Sequence, residues 1–197
     1  MPKIAIFGGT FNPFHIGHYE MLSALQKDEE IDKILLLPDK IPPHKQCDFM
    51  ADDETRIKMC AIAAKDFSKA ELCLIEFERE GKSYTYDTVK LLKQIYTDCE
   101  LYFVCGGDML VYFDKWYKYE ELMKELAFIV FRRGDTNSLE FDFCVERFSK
   151  MGMNIIVKDE IITTVSSTEL RKDLKALKHF LPEKIYDYLS ERGIYND

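Results

Sequence analysis

Short apolar runs alternate along the chain with stretches in which apolar residues recur at helical spacing. The runs lack a polar–apolar alternation, and they predict strands at 3–7, 33–37, 71–75, 101–105, 127–131 and 154–157. The helical patterns fall between them, at 17–27, 52–67, 85–95, 108–126 (interrupted near Trp116), 141–151, 166–177 and from Pro182 onward. Strand and helix therefore alternate from one end of the chain to the other.

This alternation predicts an α/β fold. Strands without a polar face are typical of a parallel sheet that is covered on both sides. Right-handed crossovers would make it a doubly wound, Rossmann-like parallel sheet with helices on both faces. We expect residues 1–197 to form a single domain, with a small C-terminal helical part at about 160–197. Ligands of such sheets bind outside the carboxyl ends of the strands.

Composition excludes several classes of protein. The 197 residues are 47% hydrophobic and 31% charged, with a net charge of -8, which argues against disorder and against coating nucleic acid. No apolar run reaches the roughly 20 residues of a membrane-spanning helix, and the first residues lack the layout of a signal peptide. The six cysteines include no CxxC pair. We therefore expect reduced cysteines in a cytoplasmic protein that binds neither nucleic acid nor membrane.

The stretch from Gly8 to His18 directly follows the first predicted strand. Gly8 and Gly9 would let the backbone approach a phosphate closely. His15 and His18 would lie on one side of the first helical turn. They would be near the N-terminus of the helix, which attracts anions. Gly17 would keep that turn open to a ligand. The plain structural alternative is a glycine-rich turn with two ordinary histidines, but the chain has only four histidines.

Three further polar stretches lie after predicted strands or at helix starts. Ser166 to Arg171 offers three hydroxyl groups and an arginine, Gly106–Gly107–Asp108 offers a carboxylate, and Ser83 to Thr88 opens a helix. Each also has a plain structural interpretation, as a capping box, a turn or a helix start. The sequence of the capping box supports a structural and a functional interpretation about equally. For residues 83–88 taken alone, the structural interpretation is better supported.

Together these stretches resemble the bacterial nicotinate-nucleotide adenylyltransferases, a family of the nucleotidylyltransferase superfamily. GGTFNPFHIGH is similar to the GGTFDPPHxGH element of that family. Further motifs match in order across essentially the whole chain: Pro42–Lys45, Ser83–Thr88, Gly106–Asp108 with Trp116, Ser166–Arg171, Leu181–Pro182 and Gly193–Tyr195. The chain departs from the pattern at Asn12, Phe14, Gly107 and Gly134. Because both histidines remain, we expect altered affinity and retained activity.

The resemblance implies adenylyl transfer from ATP to nicotinate mononucleotide, giving nicotinate adenine dinucleotide and pyrophosphate. It assigns catalysis to His15, His18 and Arg171. It assigns ATP binding to Gly8, Gly9, Thr10, Phe11, His15, His18, Gly106, Asp108, Arg133, Ser167, Thr168 and Arg171. It assigns binding of the mononucleotide to Lys45, Thr85, Trp116 and Tyr117. Mg²⁺ would arrive with ATP, since the sequence shows no dedicated set of metal ligands.

Two alternatives stay open from the residues alone. The same fold could serve another acceptor, namely nicotinamide mononucleotide, phosphopantetheine or an alcohol phosphate that reacts with CTP. A non-catalytic ATP-binding sensor would bind ATP without releasing pyrophosphate. A dehydrogenase lacks support, because the dinucleotide-binding glycine fingerprint is missing. The residues do not decide whether the chain forms a homo-oligomer, because core packing explains the Phe and Tyr content equally well.

Overall fold

The strands and helices follow the order that the sequence predicts. The computed structural model of the protein describes residues 1–42, 49–133 and 138–195, with the backbone alone at 133, 138 and 161. In chain order the elements are β1 (Lys3–Gly9), α1 (Ile16–Lys27), β2 (Lys33–Pro38), α2 (Asp53–Ala64), β3 (Ala70–Leu72), α3 (Thr85–Ile95), β4 (Glu100–Gly106), α4 (Gly107–Val111), a 3-10 turn (Phe113–Lys115), α5 (Tyr119–Glu125), β5 (Ala127–Arg133), α6 (Ser138–Lys150), β6 (Ile155–Ile162), α7 (Ser167–Lys172), a second 3-10 turn (Lys178–Phe180) and α8 (Glu183–Glu191).

The strands form one parallel sheet in the order β3-β2-β1-β4-β5-β6. The central strand β1 pairs with β2 on one side, where Ile4 faces Lys33, and with β4 on the other, where Lys3 faces Glu100. The strand order therefore reverses between β1 and β4. A reversal of this kind opens a crevice at the carboxyl ends of the two strands, because the connections leave them toward opposite faces.

Both faces of the sheet are covered by helices, as the doubly wound prediction requires. Ala5 and Phe7 of β1 pack into a core shared with α1, α2, α7 and α8. Ile4 and Ile6 point the other way, into a core shared with α3, α4, α5 and α6. Because successive side chains of a strand alternate between faces, a strand that is buried on both faces is apolar throughout. The predicted fold class is confirmed.

The two edge strands differ most from the prediction. β3 ends at Leu72, because the chain turns at Leu74, whose carbonyl oxygen accepts a hydrogen bond from the N–H of Phe77 at 2.8 Å. β6 runs on to Ile162, well beyond the predicted residues. Its added part contains charged residues, one of which, Lys158, pairs with an aspartate of the α1–β2 loop. Edge strands tolerate such charges, so an apolar pattern underestimates their length.

Two helices also differ in detail. The helical spacing of Val89, Leu92 and Ile95 predicts that they share one face of α3. Val89 and Leu92 are buried, but Ile95 is 62% exposed at the end of the helix. On α2 the helical spacing of the apolar residues Ile57, Cys60, Ala61 and Ala64 predicts one buried face. The structure instead buries the face that includes Arg56. In the described part of the chain, no helix combines the length and the apolar character needed to cross a membrane.

The capping box predicted at the start of α7 is present. The Ser166 hydroxyl accepts from the N–H of Glu169 at 3.1 Å, and the Glu169 carboxylate accepts from the N–H of Ser166 at 2.9 Å. The helix ends at Lys172, earlier than predicted, because Asp173 leaves the helical conformation. The Asp173 side chain accepts from the N–H of Ala176 at 2.9 Å, and such local bonds compete with helix propagation.

Candidate functional site

A cavity of about 290 Å³ lies where the strand order reverses, at the carboxyl ends of β1 and β4. Its walls include four stretches that are far apart in sequence. Most of the predicted site residues line it: Gly8, Gly9, Thr10, Phe11, His15, His18, Thr85, Gly106, Asp108, Trp116, Tyr117, Ser167, Thr168 and Arg171. The fold therefore brings together the four polar stretches that the sequence singles out.

Two predicted site residues fall outside this description. Lys45 belongs to the residues that the structure does not describe, as does the departure at Gly134. For Arg133 the structure describes the backbone, at the last position of β5, and not the side chain. The proposed contacts of Lys45 with the mononucleotide and of Arg133 with ATP stay predictions.

The turn that follows β1 forms the floor of the cavity. A Cβ atom at Gly9 would lie 3.0 Å from the Phe11 ring, so a larger residue would displace that ring. Gly8 is less constrained, because its Cβ would meet Phe103 at an ordinary 3.5 Å. Phe11 itself has a φ of 49°, in the left-handed region that non-glycine residues seldom adopt. The surrounding contacts must therefore hold this turn in shape.

His15 and His18 form a stacked pair at the start of α1. Their rings lie 3.7 Å apart between centroids and are inclined by 24°. The main-chain N–H of His15 donates to Nδ1 of His18 at 3.2 Å. Because Nδ1 accepts, the proton of a neutral His18 ring is placed on Nε2, where it can be donated. The turn thus fixes both the orientation of this ring and the atom that carries its proton.

Phenylalanine rings surround His18 on its other sides. The ring centroids of Phe11 and Phe14 lie 5.0 and 5.2 Å from that of His18. Phe14, one of the departures from the family pattern, is fully buried. An imidazole in close-packed aromatic surroundings has little rotational freedom, so these rings restrict His18 to one position.

Gly17 lines the cavity and has a second role that the sequence did not predict. A Cβ atom there would lie 3.0 Å from the carbonyl oxygen of Thr163 and 3.3 Å from the His15 ring. The glycine therefore admits the chain that follows β6, besides lining the cavity. Glu20 of α1 holds the same chain, since its carboxylate accepts from the N–H and the hydroxyl of Thr163 at 2.6 and 2.7 Å. Sequence reasoning missed Glu20.

The residues of α7 bind the turn that follows β1. The Ser167 hydroxyl donates to the carbonyl oxygen of Pro13 at 3.0 Å. The Arg171 guanidinium donates to the carbonyl oxygen of Asn12 at 2.8 Å and to the Thr168 hydroxyl at 3.1 Å. Side chains predicted to hold phosphate therefore also clamp the turn in this structure. Both uses are compatible for arginine, which has five N–H donors.

Arg56 was missed by the sequence analysis and is central to the site. Its guanidinium is fully buried and donates to the carbonyl oxygen of Thr10 at 3.2 Å and to the Asp39 carboxylate at 3.2 Å. Asp39 in turn accepts from the Thr10 hydroxyl at 2.8 Å. The signal was its spacing, three and four residues before the buried Met59 and Cys60. A cation on an apolar helix face indicates a buried charged network.

The stretch from Ser83 to Thr88 divides its residues between structure and cavity. The Ser83 hydroxyl accepts from the N–H groups of Lys40 and Ile41, which holds the chain after β2. The Thr88 hydroxyl donates to the buried Glu76 carboxylate at 2.7 Å. Thr85, at the first position of α3, is half-buried against the cavity. The functional prediction for Thr85 and the structural interpretation of its neighbours are both compatible with this arrangement.

Aromatic rings form the other side of the cavity. Trp116 is half-buried, and Phe103 meets it edge-on at 5.6 Å and 89°. Tyr117 is exposed and lies over Tyr84, with 4.5 Å between the ring centroids. The indole is therefore held by the core on one side and open to the cavity on the other. Such a surface suits a flat ligand ring.

The end of β4 contributes a carboxylate and a thiol. Asp108 is exposed in the first turn of α4 and lines the cavity. Burial raises the pKa of the Cys105 thiol far above its ordinary value, with a smaller contribution from the Asp108 charge. A thiol with such a raised pKa is not a nucleophile at neutral pH. Of these two residues, Asp108 is the one suited to contact a polar ligand.

Comparison with known proteins agrees with the resemblance. Residues 6–173 match the cytidylyltransferase-like family. The nicotinate-nucleotide adenylyltransferase of Bacillus subtilis is 39% identical over 99% of both chains. A probable nicotinate-nucleotide adenylyltransferase of Lactococcus lactis is 38% identical over 98% of this chain and 95% of its own.

A solved structure shows the same fold at lower identity. The nicotinic acid mononucleotide adenylyltransferase of Plasmodium falciparum, determined in complex with NaAD, superposes with a TM-score of 0.80. It is 23% identical and covers 100% of this chain and 98% of its own. With the relatives of higher identity, this fold and these motifs place the chain in the cytidylyltransferase-like family, among its nicotinate-nucleotide adenylyltransferases.

Proposed function

We propose that this protein transfers the adenylyl group of ATP to nicotinate mononucleotide in NAD biosynthesis. A phosphate oxygen of the mononucleotide forms a bond to the α-phosphorus of ATP, the bond from that phosphorus to the bridging oxygen breaks, and pyrophosphate leaves. The attacking oxygen is already anionic, so the reaction needs no base to activate it. Catalysis then depends on placing the two substrates and on stabilising the charge that moves to pyrophosphate.

One observation supports this proposal above the others. Four stretches singled out by their sequence, the first and last of them separated by about three quarters of the chain, line one cavity at the switch point of the sheet. One side of that cavity carries imidazoles and a guanidinium, and the other carries aromatic rings. That division suits a reaction between a phosphate chain and a flat heterocycle.

The phosphate side would be formed by the turn after β1 and by α7. His18 offers a proton on Nε2, and His15 stacks on it, so both rings can face the phosphates of ATP. Arg171 brings a positive charge to the same turn. Donors held in place before the reaction stabilise developing charge without a reorganisation cost. We propose that the backbone of Gly8, Gly9, Thr10 and Phe11, with Gly106, Ser167 and Thr168, completes the ATP site, and that Asp108 binds a ribose.

The acceptor side would bind the nicotinate ring. Trp116 would stack on the ring, and Tyr117 and Thr85 would frame it. The first N–H groups of a helix have no partner inside the helix, so the start of α3 at Thr85 offers donors to the nicotinate carboxylate. The carboxylate of nicotinate can accept from two such N–H donors. The amide of nicotinamide would instead place its own NH2 donor against one of them. This difference supports nicotinate over nicotinamide as the preferred ring.

Magnesium would enter with ATP, as part of that substrate. The carboxylate of Asp39, which lines the cavity, already accepts from Thr10 and Arg56. Because Mg²⁺ binds few protein groups and prefers phosphate oxygens and water, the triphosphate itself would supply its ligands.

We further propose a single domain and a cytoplasmic location. Leu170 of α7 and Ile185 of α8 belong to the same core as Ala5 of β1, which supports one cooperative unit over residues 1–197. The described cysteines are free thiols. Free thiols are typical of reducing compartments.

The decisive experiment measures pyrophosphate release from ATP and Mg²⁺, with nicotinate mononucleotide and nicotinamide mononucleotide offered separately. We expect strong release with the nicotinate compound and at least about tenfold lower kcat/KM with the amide, the discrimination that one mismatched hydrogen-bonding group gives. Comparable release with both compounds would show that the enzyme uses either mononucleotide as its acceptor. Binding of ATP without release, whichever acceptor is offered, would support the sensor alternative and contradict the proposal.

A further inference from the structure

Asn12 is held by more partners than a surface turn requires. Its side chain is 1% exposed, in the turn between β1 and α1. The amide nitrogen donates to the carbonyl oxygen of Phe49 at 3.0 Å, and Oδ1 accepts from the N–H of Ala51 at 3.0 Å. An aspartate at this position could make the second bond but not the first, because a carboxylate does not donate. The asparagine therefore joins the turn to the chain that leads into α2.

A residue at the far end of the sequence reaches the same atom. The hydroxyl of Tyr195 donates to Oδ1 of Asn12. Its ring meets Phe49 edge-on, with 5.4 Å between centroids and 77° between planes. Arg171 donates to the carbonyl oxygen of Asn12 from a third direction. Three separate segments thus converge on one residue of the turn that carries the two histidines, two of them on its side chain and one on its carbonyl oxygen.

The turn needs such support, because its local conformation is unfavourable. Phe11 has a φ of 49°, which the protein surroundings must enforce. Asn12 follows it directly, and His15, the N-cap of α1, comes three residues later. Since the N–H of His15 also orients His18, a displacement of Asn12 would move both imidazoles. Small displacements of preorganised groups are costly for catalysis.

We infer that Tyr195 is a positioning residue for adenylyl transfer, acting through Asn12 on the turn that carries His15 and His18. The hydroxyl fixes Oδ1 of Asn12, and Asn12 fixes the turn. Tyr195 does not line the cavity, so it acts without touching a substrate. The inference rests on the proposed function, because its consequence is measured in that reaction.

The test is Tyr195→Phe, which removes the hydroxyl and keeps the ring on Phe49. We expect kcat to fall about tenfold while KM for each substrate changes by less than about twofold, the pattern of misplaced groups that act in the transition state. In an Asn12→Ala background the same change should have no further effect on kcat, because residues that act in series are not additive. A kcat within about twofold of the parent, or independent effects in the double variant, would overturn the inference.

A second measurement is independent of activity. Amide hydrogen exchange should be faster in Tyr195→Phe for residues 9–18 and 49–52, since both segments depend on Asn12. Unchanged exchange in these two segments would contradict the inference about Tyr195, whether or not the parent protein is active. A parent protein that released no pyrophosphate would instead contradict the proposed function alone.

Tyr188 offers the matched control for both measurements. It lies in α8, and within the described residues its buried hydroxyl makes no hydrogen bond. Tyr188→Phe removes a hydroxyl from the same region of the chain, so kcat and the exchange at residues 9–18 should match those of the parent protein.

Discussion

The two sides of the cavity are built in different ways. On the phosphate side, buried and partly buried hydrogen bonds hold the turn after β1 from several directions, through Arg56, Ser167, Arg171 and Asn12. On the acceptor side, partly exposed aromatic rings lie against one another with few polar ties. The comparison teaches that rigidity is concentrated where charge moves during the reaction, whereas the ring-binding side relies on surface contact. If so, damage to the first side lowers kcat or stability, and damage to the second raises KM.

The largest effect is expected from Arg56→Met. It removes a buried cation from Asp39, Asp53 and several carbonyl oxygens, and removing one partner of a buried ion pair costs about 3–5 kcal/mol. At about 2–4 °C per kcal/mol for a chain of this size, the melting temperature should fall by roughly 6–20 °C. Thermal unfolding measures it. The control is Arg132→Met, which breaks exposed ion pairs worth at most about 1 kcal/mol. Equal losses in both variants would break the comparison.

The second effect is on catalysis. His18→Ala removes the imidazole that the turn orients, and we expect kcat to fall by roughly 100-fold or more, the cost of losing one preorganised donor. KM for ATP should change far less. Steady-state release of pyrophosphate gives both constants. His179→Ala serves as the control, because that histidine is exposed in the second 3-10 turn. Parent-like turnover in His18→Ala would refute its role.

The third effect separates the two sides most clearly. Trp116→Ala should raise KM for the mononucleotide by about tenfold and leave kcat within about threefold, since stacking acts in the ground state and the transition state alike. Tyr112→Ala removes an exposed aromatic side chain from the same region, and its KM should stay unchanged. A fall in kcat with a constant KM for Trp116→Ala would show that this side also positions the reacting groups.

The smallest effect concerns the helix that carries Arg56. The backbone N–H of Thr55 is the main cause of a lowered pKa at Asp52, the N-cap of α2. Folding therefore favours the ionised form of Asp52. Its contribution to the free energy of unfolding is present above pH 3.8 and is lost as the pH falls through the lowered pKa of the folded state. Asp52→Ala should cost about 1 kcal/mol at pH 7 and less below pH 3.8.

Asp52→Asn provides the matching control for that prediction. Asparagine caps a helix about as well as aspartate but carries no charge, so stability at pH 7 should be nearly retained while the acid dependence is reduced. Denaturant unfolding at several pH values measures both. A penalty for Asp52→Ala that does not change with pH would show that the charge at this cap is unimportant.

Much of the architecture could be predicted from the chain because local patterns determine it. Buried parallel strands are apolar throughout, and β1, β2, β4 and β5 carry that pattern plainly. The edge strands could not be bounded, because β6 contains charges that an exposed edge accepts. Thr85, Trp116 and His18 line one cavity. This could be expected from the order of the motifs along the chain and because ligands of such sheets bind at the carboxyl ends of the strands.

The supporting residues were harder to predict because their roles depend on distant partners. Arg56 is buried only because the turn after β1 and the chain after β2 offer it acceptors. The bonds of Asn12 to Phe49 and Tyr195 join segments far apart in sequence. No spacing rule within one helix or strand reports such pairs, so a three-dimensional arrangement is needed to find them.

The pairing of β1 with β4 also has a consequence for folding. Among the described strands, every other neighbouring pair is consecutive in sequence, while this one joins Lys3 to Glu100. Closing that loop costs the unfolded chain more entropy than any other step in building the sheet, and contacts between distant residues form slowly. The catalytic cavity lies at this join. A bound nucleotide would therefore stabilise the strand pairing that costs the most chain entropy to form. In the ligand-free protein the pairing of β1 with β4 lacks this stabilisation.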